Sequence, residues 1–338
     1  MSEYQYYEFQ ALDRRLSREE MAEIDKLSSR VQLTPTAAIF TYHFGDFRGN
    51  PKEVLTKYFD VMFYIANWGT WQLMFKFPRA LVARKWFEPY ELEDIITITQ
   101  NNKYIIIDIE IFEENGLVGW VEGEGWLPRL LPLREELLVG DLRLLYLVWL
   151  RVADLLSPAI AEEEAQEPPI PPNLNQLSEA QLAFIELVEL DLDLVTAAAQ
   201  ASSIYHPPSE LPLSNWLNAL SEAEKNKFLL KLIKREPYVD LQLINRLKEL
   251  ALDPRTIPTP KAGFRKFSEL QKSADVIQAE RLEQERILAR KKRIQELEAL
   301  ASKEDYIWKR IMDLIAKKQS KPYDEALDGD NRAKALSV

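Results

Sequence analysis

The sequence predicts an α+β fold: an N-terminal, mainly antiparallel sheet with packed helices, followed by a small helical bundle and a long charged C-terminal helix. Strand and helix patterns mix over the first half without the regular alternation of a parallel sheet. An acidic, proline-rich stretch follows, and beyond it the apolar residues keep helical spacing. We therefore divide the chain into an α+β domain, 1–157; a linker, 158–176; a helical bundle, 177–253; and a charged helix, an amphipathic helix and a polar tail, 254–338.

The first predicted elements are two strands around one helix. Tyr4–Gln10 is rich in aromatic residues, as strands often are. Ser17 and Glu20 have the spacing of a capping box, which predicts that a helix begins there and runs through Arg18–Arg30. The second half of Thr36–Phe47 alternates between polar and apolar residues and predicts the other strand.

Residues 50–78 predict a helix, a tight turn and a strand. Asn50 and Pro51 are typical of the cap and first position of a helix. Apolar residues then recur at helical spacing, at Val54, Leu55, Tyr58, Phe59, Met62, Phe63 and Ile65. Asn67-Trp68-Gly69 supplies the turn, and Trp71–Phe77 alternates as a half-buried strand does. We therefore expect one long helix that packs on a sheet.

A β-hairpin is predicted for Asp94–Gln100 and Lys103–Phe112, because Asn101-Asn102 suits a two-residue turn of positive φ. Four isoleucines on alternate positions define the buried face of the second strand: Ile105, Ile107, Ile109 and Ile111. A short helix is expected at Ala80–Phe87, and Leu137–Leu156 predicts one largely buried helix against the sheet.

The C-terminal half is predicted to be helical. Capping residues mark helix starts at Ser178 with Gln181, at Ser221 with Glu224, and at Ser214. A long, highly charged helix is expected over Phe264–Ser302. Its heptad seam consists of Phe267, Leu270, Ala274 and Ile277 and returns weakly at Ile287, Ile294 and Leu297. A second, amphipathic helix is expected over Asp305–Lys318.

Composition excludes several classes of chemistry. The 338 residues include no Cys, which excludes disulfides, thiolate catalysis and cysteine-ligated zinc or iron–sulfur sites. The N-terminus lacks the basic start and apolar run of a secretory signal. Charged residues interrupt Leu137–Leu156, the best candidate for a membrane span. We therefore expect a cytoplasmic protein without membrane contact, whose net charge of -11 opposes nonspecific binding to nucleic acid.

Candidate catalytic residues are few. The sequence lacks a phosphate-binding glycine loop, a dinucleotide glycine pattern, GxSxG and HExxH, and we predict no cofactor or metal. His43, on a predicted strand, has no partner placed for catalysis, which favours a structural role. Asp108 and Glu110 point the same way from one strand. A metal-dependent hydrolase using them with Glu122 or Glu124 is an alternative, although a solvated sheet face also explains them.

The stretch WVEGEGWLP is a candidate interaction surface. Trp120, Glu122, Glu124 and Trp126 place two large aromatic residues around two acids on a loop that contains glycine. Aromatic residues anchor many protein contacts and glycine lets a loop conform to a partner, which favours recognition. Alternatively, both indoles pack beneath the following helix as core.

Basic residues concentrate near the C-terminus. Residues 254–321 hold 17 basic and 10 acidic side chains, a local charge of +7 against -18 for the remainder. The run Arg290, Lys291, Lys292 and Arg293 predicts phosphate contacts, so a nucleic-acid-associated accessory factor is an alternative function. Glutamates surround the run at i,i+4 spacing, which is also the pattern of a solvated helix.

Several stretches together resemble an uncharacterised family of bacterial proteins: YQYYEFQALDRRL, YHFGDFRGNP, YIANWGTWQLMFKFP, EGEGWL with LPLREELLVGDLRLLYLVWL, EPPIPPNLNQLS and KPYDEA. The resemblance covers most of the chain. It implies a cytosolic protein often encoded beside a SWIM-type zinc-finger protein, and it carries over no catalytic residue. This chain departs from the family after Ala326, where DGDNRAKALSV stands in place of a leucine-bearing helix.

These observations favour a non-enzymatic interaction or adaptor subunit of a bacterial cytoplasmic multi-protein system. Motifs that carry chemistry are absent, whereas a long helix with a weak apolar stripe gains stability mainly from a partner. The expected partner is a protein, and the resemblance suggests a SWIM-type zinc-finger protein.

Overall fold

The computed structural model describes residues 3–112, 122–156, 166–205, 216–236, 238–251, 260–301 and 304–316. Within these ranges the α+β class is confirmed, because an antiparallel sheet near the N-terminus is followed by helices. The chain divides into two compact units, residues 1–274 and 275–338, and the division falls inside the longest helix.

One sheet contains the strands of the described part of the chain. Its members are β1 (Gln5–Gln10), β2 (Gln32–Leu33), β3 (Ala37–Tyr42), β4 (Val61–Ala66), β5 (Thr70–Pro78), β6 (Ile96–Gln100) and β7 (Tyr104–Phe112). Their order across the sheet is β2-β3-β1-β4-β5-β7-β6. Each neighbouring pair is antiparallel, with Tyr7 opposite Tyr64 and Gln72 opposite both Tyr64 and Glu110.

The α-helices of the described part are α1 (Arg18–Asp25), α2 (Pro51–Tyr58), α3 (Trp126–Leu130), α4 (Pro132–Leu138), α5 (Arg143–Leu156), α6 (Glu179–Leu187), α7 (Leu192–Ala199), α8 (Glu222–Ile233), α9 (Val239–Ala251), α10 (Phe267–Ala301) and α11 (Glu304–Ala316). The short helix expected at Ala80–Phe87 is instead a 3₁₀ turn at Arg84–Trp86, with a second turn at Glu88–Tyr90. Both turns precede β6.

Helices cover both faces of the central strands. On one face, Leu55 of α2 joins a buried cluster with Phe9 and Met62. On the other face, the indole of Trp71 meets the ring of Phe184 from α6 edge to face, with 5.6 Å between centroids. These four aromatic and apolar side chains, like Leu55, are almost wholly buried. The aromatic density of the front half therefore forms core.

The long helix predicted from residue 50 to 65 is wrong in its second half. Asn50 caps the helix as predicted, but α2 ends at Tyr58 and Phe59 has extended φ and ψ of -124° and 176°. Val61–Ala66 is β4, and all six of its residues are buried. Because both faces of this strand are covered, its residues do not alternate between polar and apolar. The resulting continuous apolar run also fits the spacing of a helix.

The single helix predicted at Leu137–Leu156 is two helices, because the chain breaks at Gly140. This residue has φ of +85°, a conformation that favours glycine and ends a helix. The predicted hairpin is confirmed with a longer connection: Asn101 accepts backbone hydrogen bonds from Lys103 and Tyr104, and neither Asn101 nor Asn102 has positive φ. The four isoleucines predicted to face the core, Ile105, Ile107, Ile109 and Ile111, are buried.

The helix starts predicted from capping boxes are confirmed. All three predicted capping boxes form, at Ser17 with Glu20, Ser178 with Gln181, and Ser221 with Glu224. The predicted cap Ser214 lies outside the described residues. α10 and α11 begin and end within three residues of the predicted bounds. No described helix has the length and apolar character to cross a membrane.

Part of the predicted acidic linker is folded. Glu167 and Ile170 are buried, and backbone hydrogen bonds join Ile170 and Lys261 in both directions at 2.7 and 3.0 Å. The carboxylate of Glu167 accepts from the Arg265 guanidinium and from the Tyr146 hydroxyl. These contacts fix the chain just before α10, and the four-part division of the sequence remains a prediction.

Candidate functional site

The acidic pair on β7 is held by neighbouring side chains. The amide nitrogen of Gln72 donates to Asp108 at 2.7 Å and to Glu110 at 3.3 Å. Lys52 of α2 lies 3.4 Å from the second oxygen of Asp108. Burial, and then the charge of Asp108, raise the pKa of Glu110. Both acids therefore already have hydrogen-bond partners on their own sheet face.

The sheet separates this pair from Glu124. Glu124 follows Gly123, which packs on the ring of Tyr6, and Tyr6 and Glu8 share one face of β1. Alternation along β1 and the strand register place Glu8 on the opposite sheet face from Glu110. Glu124 therefore does not lie beside Asp108, where the hydrolase alternative would use it as a further metal ligand. Among the described residues, no three His, Cys, Asp or Glu side chains are grouped as a metal site.

His43 lies on the surface. β3 ends at Tyr42, so His43 follows the strand instead of lying on it, and it is exposed. Its ring is 5.9 Å from the ring of Tyr4. The structural role of His43 remains a prediction.

The loop with the paired tryptophans is attached to the sheet at Gly123. Its amide donates to the Tyr4 hydroxyl at 3.0 Å, and its Cα packs on the ring of Tyr6. A Cβ at this position would lie 2.3 Å from that ring, so only glycine permits the approach. The flanking acids Glu122 and Glu124 are exposed.

Only one of the two tryptophans of this loop lies among the described residues. Trp120 lies outside the described residues. Trp126 begins α3 and is half-buried, with the guanidinium of Arg129 4.8 Å from its ring centroid. Arg129 also pairs with Glu186 of α6. Trp126 therefore packs at the junction of α3 and α6, while interaction through the exposed acids remains a prediction.

The basic run Arg290, Lys291, Lys292 and Arg293 is exposed on α10. Four consecutive residues of a helix point in directions spread over about 300°, so they cannot all face one phosphate backbone. Arg293 also lies 3.7 Å from Glu296. The run therefore does not form one positive face.

Exposed apolar residues on α10 do form a face. Val276, Ile287, Leu288 and Ile294 are 45–63% exposed. Positions 276, 287 and 294 are separated by 11 and then 7 residues, and both spacings return a side chain to nearly the same side of a helix. We name Val276, Ile287 and Ile294 the α10 stripe; Leu288 lies about 100° around the helix from Ile287 and is outside it. The α10 stripe is the candidate functional site.

A network of buried charged groups surrounds Arg134, and no local sequence pattern predicts it. The Arg134 side chain is fully buried, and its guanidinium lies 3.0 Å from Asp13. It also donates to the carbonyl oxygen of Lys76 at 3.1 Å and to the Tyr238 hydroxyl at 3.2 Å. Tyr238 in turn donates to Asp13. Every group in this network has a partner, so it serves structure.

Lys76 and Asp60 form a second buried ion pair. Their charged atoms are 3.3 Å apart, and Asp60 also accepts from the backbone amides of Leu12 and Asp13. Burial lowers the pKa of Lys76, and the Asp60 charge opposes that shift. The alternation of β5 had placed Lys76 on a polar strand face, and no local signal shows that α2 covers it.

Glu8 provides a test of the buried polar contacts. Burial raises its pKa, a hydrogen bond from Tyr6 opposes the shift, and Glu124 adds to it. The pKa of Glu8 is higher in the folded state than in the unfolded state. At low pH the protonated carboxyl therefore does not lower the free energy of unfolding, and as the pH rises its ionisation lowers that free energy. We expect Glu8→Gln to gain unfolding free energy relative to wild type between about pH 4 and pH 7, measured by urea titration.

The control for this prediction is Glu3→Gln, because Glu3 is exposed. Its unfolding free energy should follow the wild-type pH profile. If Glu8→Gln differed from wild type by a constant amount at every pH, ionisation of the buried carboxyl would not be the cause.

Comparisons with known proteins give no relative: no family model matches the chain, and no curated protein or solved structure matches it significantly.

Proposed function

We propose that this protein is a non-enzymatic interaction or adaptor subunit that binds a protein partner along the α10 stripe. One observation carries the proposal. α10 is 35 residues long, and its described residues from 278 to 296 are exposed, including Ile287, Leu288 and Ile294. Large apolar side chains in a row on a water-facing helix favour a docked partner.

The spacing of the α10 stripe indicates which kind of partner it would bind. Val276 and Ile287 stand 11 residues apart, which is about 16 Å along a helix. Between them lie Glu280 and Glu283, and Arg290 and Lys291 follow. A partner helix with apolar contacts at this spacing and charges of opposite sign between them would match both features. The resemblance stated above suggests a SWIM-type zinc-finger protein as the first candidate.

Nucleic-acid binding is the alternative for this helix. It rests on the +7 charge of residues 254–321. The distribution of Arg290–Arg293 around α10 opposes it, as does the pairing of Arg281 with Glu285 at 2.9 Å. Binding of this kind would weaken steeply with salt and would be lost on charge reversal at Arg290–Arg293.

The experiment is affinity capture from the source cells with three baits, with and without nuclease. We expect the double variant Ile287→Glu with Ile294→Glu to lose the partner that wild type captures, because two buried contacts become charged. The affinity for the purified partner should fall by about 30-fold or more. Unfolding free energy should change by only about 0.5 kcal/mol, since both residues are exposed.

The third bait carries Arg290→Glu with Lys292→Glu and leaves the α10 stripe intact. It should still capture the partner, with a changed association rate and salt dependence. Loss of capture with this bait but not with the stripe variant, together with loss on nuclease treatment, would replace the proposal with the nucleic-acid alternative.

A further inference from the structure

We infer that two copies of this chain associate, with the outer face of α8 from one copy seated in the groove between α6 and α7 of the other. This surface is separate from the α10 stripe and does not depend on the proposed function. The inference rests on two exposed surfaces, a helix face and a groove, that match in apolar character and charge.

The first surface is the outer face of α8. Its inner face packs on α9: Phe228 joins the cluster around Leu247, and Glu224 pairs with Arg246 at 2.9 Å. On the other side four large apolar side chains are 52–76% exposed: Leu229, Leu230, Leu232 and Ile233. A surface helix usually has one apolar face, so this second apolar face indicates a contact that the single chain does not supply.

The second surface is a groove of about 420 Å³. Its walls come from α6, α7 and the turn before α6, and its apolar lining consists of Leu174, Leu177, Leu182, Leu192, Val195 and Ala199. Leu182 and Leu192 are 46% and 57% exposed although they line a concave apolar site. Such a groove accepts the apolar face of a helix.

The charges around the two surfaces are opposite. Residues 222–236, which contain the α8 face, include five basic and three acidic residues, and two of the acids are paired, Glu222 with Lys225 and Glu224 with Arg246. Residues 166–205, which contain the groove, include six acidic residues and no Lys or Arg; Glu167 and Glu186 are paired with Arg265 and Arg129, and Asp193 is buried, which leaves Glu179, Glu189 and Asp191. Glu179 lies one turn before Leu182, and Asp191 directly precedes α7. Arg143, which reaches the carbonyl oxygen of Asn173 near the groove, is paired with Asp141.

This complementarity selects a second copy as the occupant. The groove requires a basic, leucine-bearing helix, and the chain itself exposes one. Two copies related by a twofold axis could exchange such contacts, each copy giving α8 and receiving the other's α8. The apolar residues supply the buried area, and the charges set which helix enters which groove.

The experiment is sedimentation velocity of the full chain over a wide concentration range. Wild type should approach twice the mass of the 39.3 kDa chain at high concentration. Ile233→Glu on α8 and Leu192→Glu in the groove should each weaken association by about tenfold or more. Both residues are exposed, so each variant should keep the far-UV spectrum of wild type. The matched control Leu288→Glu, on α10, should associate as wild type does.

Mixing the two variants gives the sharpest result. An equimolar mixture contains one intact α8 and one intact groove, so it should form 1:1 dimers more tightly than either variant associates with itself. A wild-type chain that stays monomeric, a mixture that does not associate, or loss of association in Leu288→Glu would each overturn the inference. Binding of monomers to anionic phospholipid vesicles through Ile233 would assign the α8 face to a lipid surface and would also overturn it.

Discussion

Replacing Arg134 with Met should cost about 3–5 kcal/mol of unfolding free energy, because it leaves Asp13 without its buried counter-ion. The Arg134 side chain is fully buried and also donates to a backbone carbonyl oxygen of β5 and to Tyr238. The substitution therefore frees three acceptors at once. Urea unfolding followed by tryptophan fluorescence measures the effect.

Two variants separate the buried charge from general damage. Arg129→Met removes a partly exposed arginine that pairs with Glu186, and it should cost less than about 1 kcal/mol. Adding Asp13→Asn to Arg134→Met removes the unpaired carboxylate and should recover part of the loss. If Arg134→Met lost no more than Arg129→Met, the network would not contribute to stability as described.

Replacing Phe184 with Ala should also cost about 3–5 kcal/mol, because it removes a wholly buried ring. Phe184 belongs to α6, which follows the predicted linker. The centroid of its ring nevertheless lies 5.6 Å from that of Trp71 in the sheet. The cavity would therefore weaken the sheet and α6 together. We expect tryptophan fluorescence and far-UV circular dichroism to give one coincident urea transition at a lower midpoint.

Phe44→Ala is the matched control, since Phe44 is 81% exposed. It should change the unfolding free energy by about 0.5 kcal/mol or less. Two separated transitions in Phe184→Ala, with the sheet transition unmoved, would mean that α6 and the sheet do not share a core.

Local signals predicted the parts of the fold that depend on neighbouring residues. The capping boxes at Ser17, Ser178 and Ser221 form because each needs only two side chains three positions apart. The buried face of β7 follows from alternation alone. β4 was mistaken for helix because its burial depends on strands and helices distant in sequence.

Contacts between distant residues could not be predicted in the same way. Arg134 meets Asp13 and Tyr238, which are 121 and 104 positions away. Glu167 lies in a stretch whose composition is typical of a linker, and it is buried only because Arg265 reaches it from 98 positions later. A single sequence does not show which distant residue neutralises a buried charge.

The candidate site was predicted in part. The length and charge of α10 were evident, as was its weak seam. The predicted seam includes Ile287 and Ile294, which are exposed, but also Phe267, Leu270 and Ala274, which are buried in the first unit. Exposure distinguishes the two groups, and exposure depends on what the rest of the chain covers.

The central claim is that α10 is a docking helix, and hydrogen exchange of its amides tests it most directly. In the free chain, residues 278–296 should exchange much faster than α5, which is mostly buried. In the complex with the captured partner, protection should rise along α10 and remain unchanged in α5. Partner-dependent protection confined to other elements, with α10 exchanging as in the free chain, would contradict the claim.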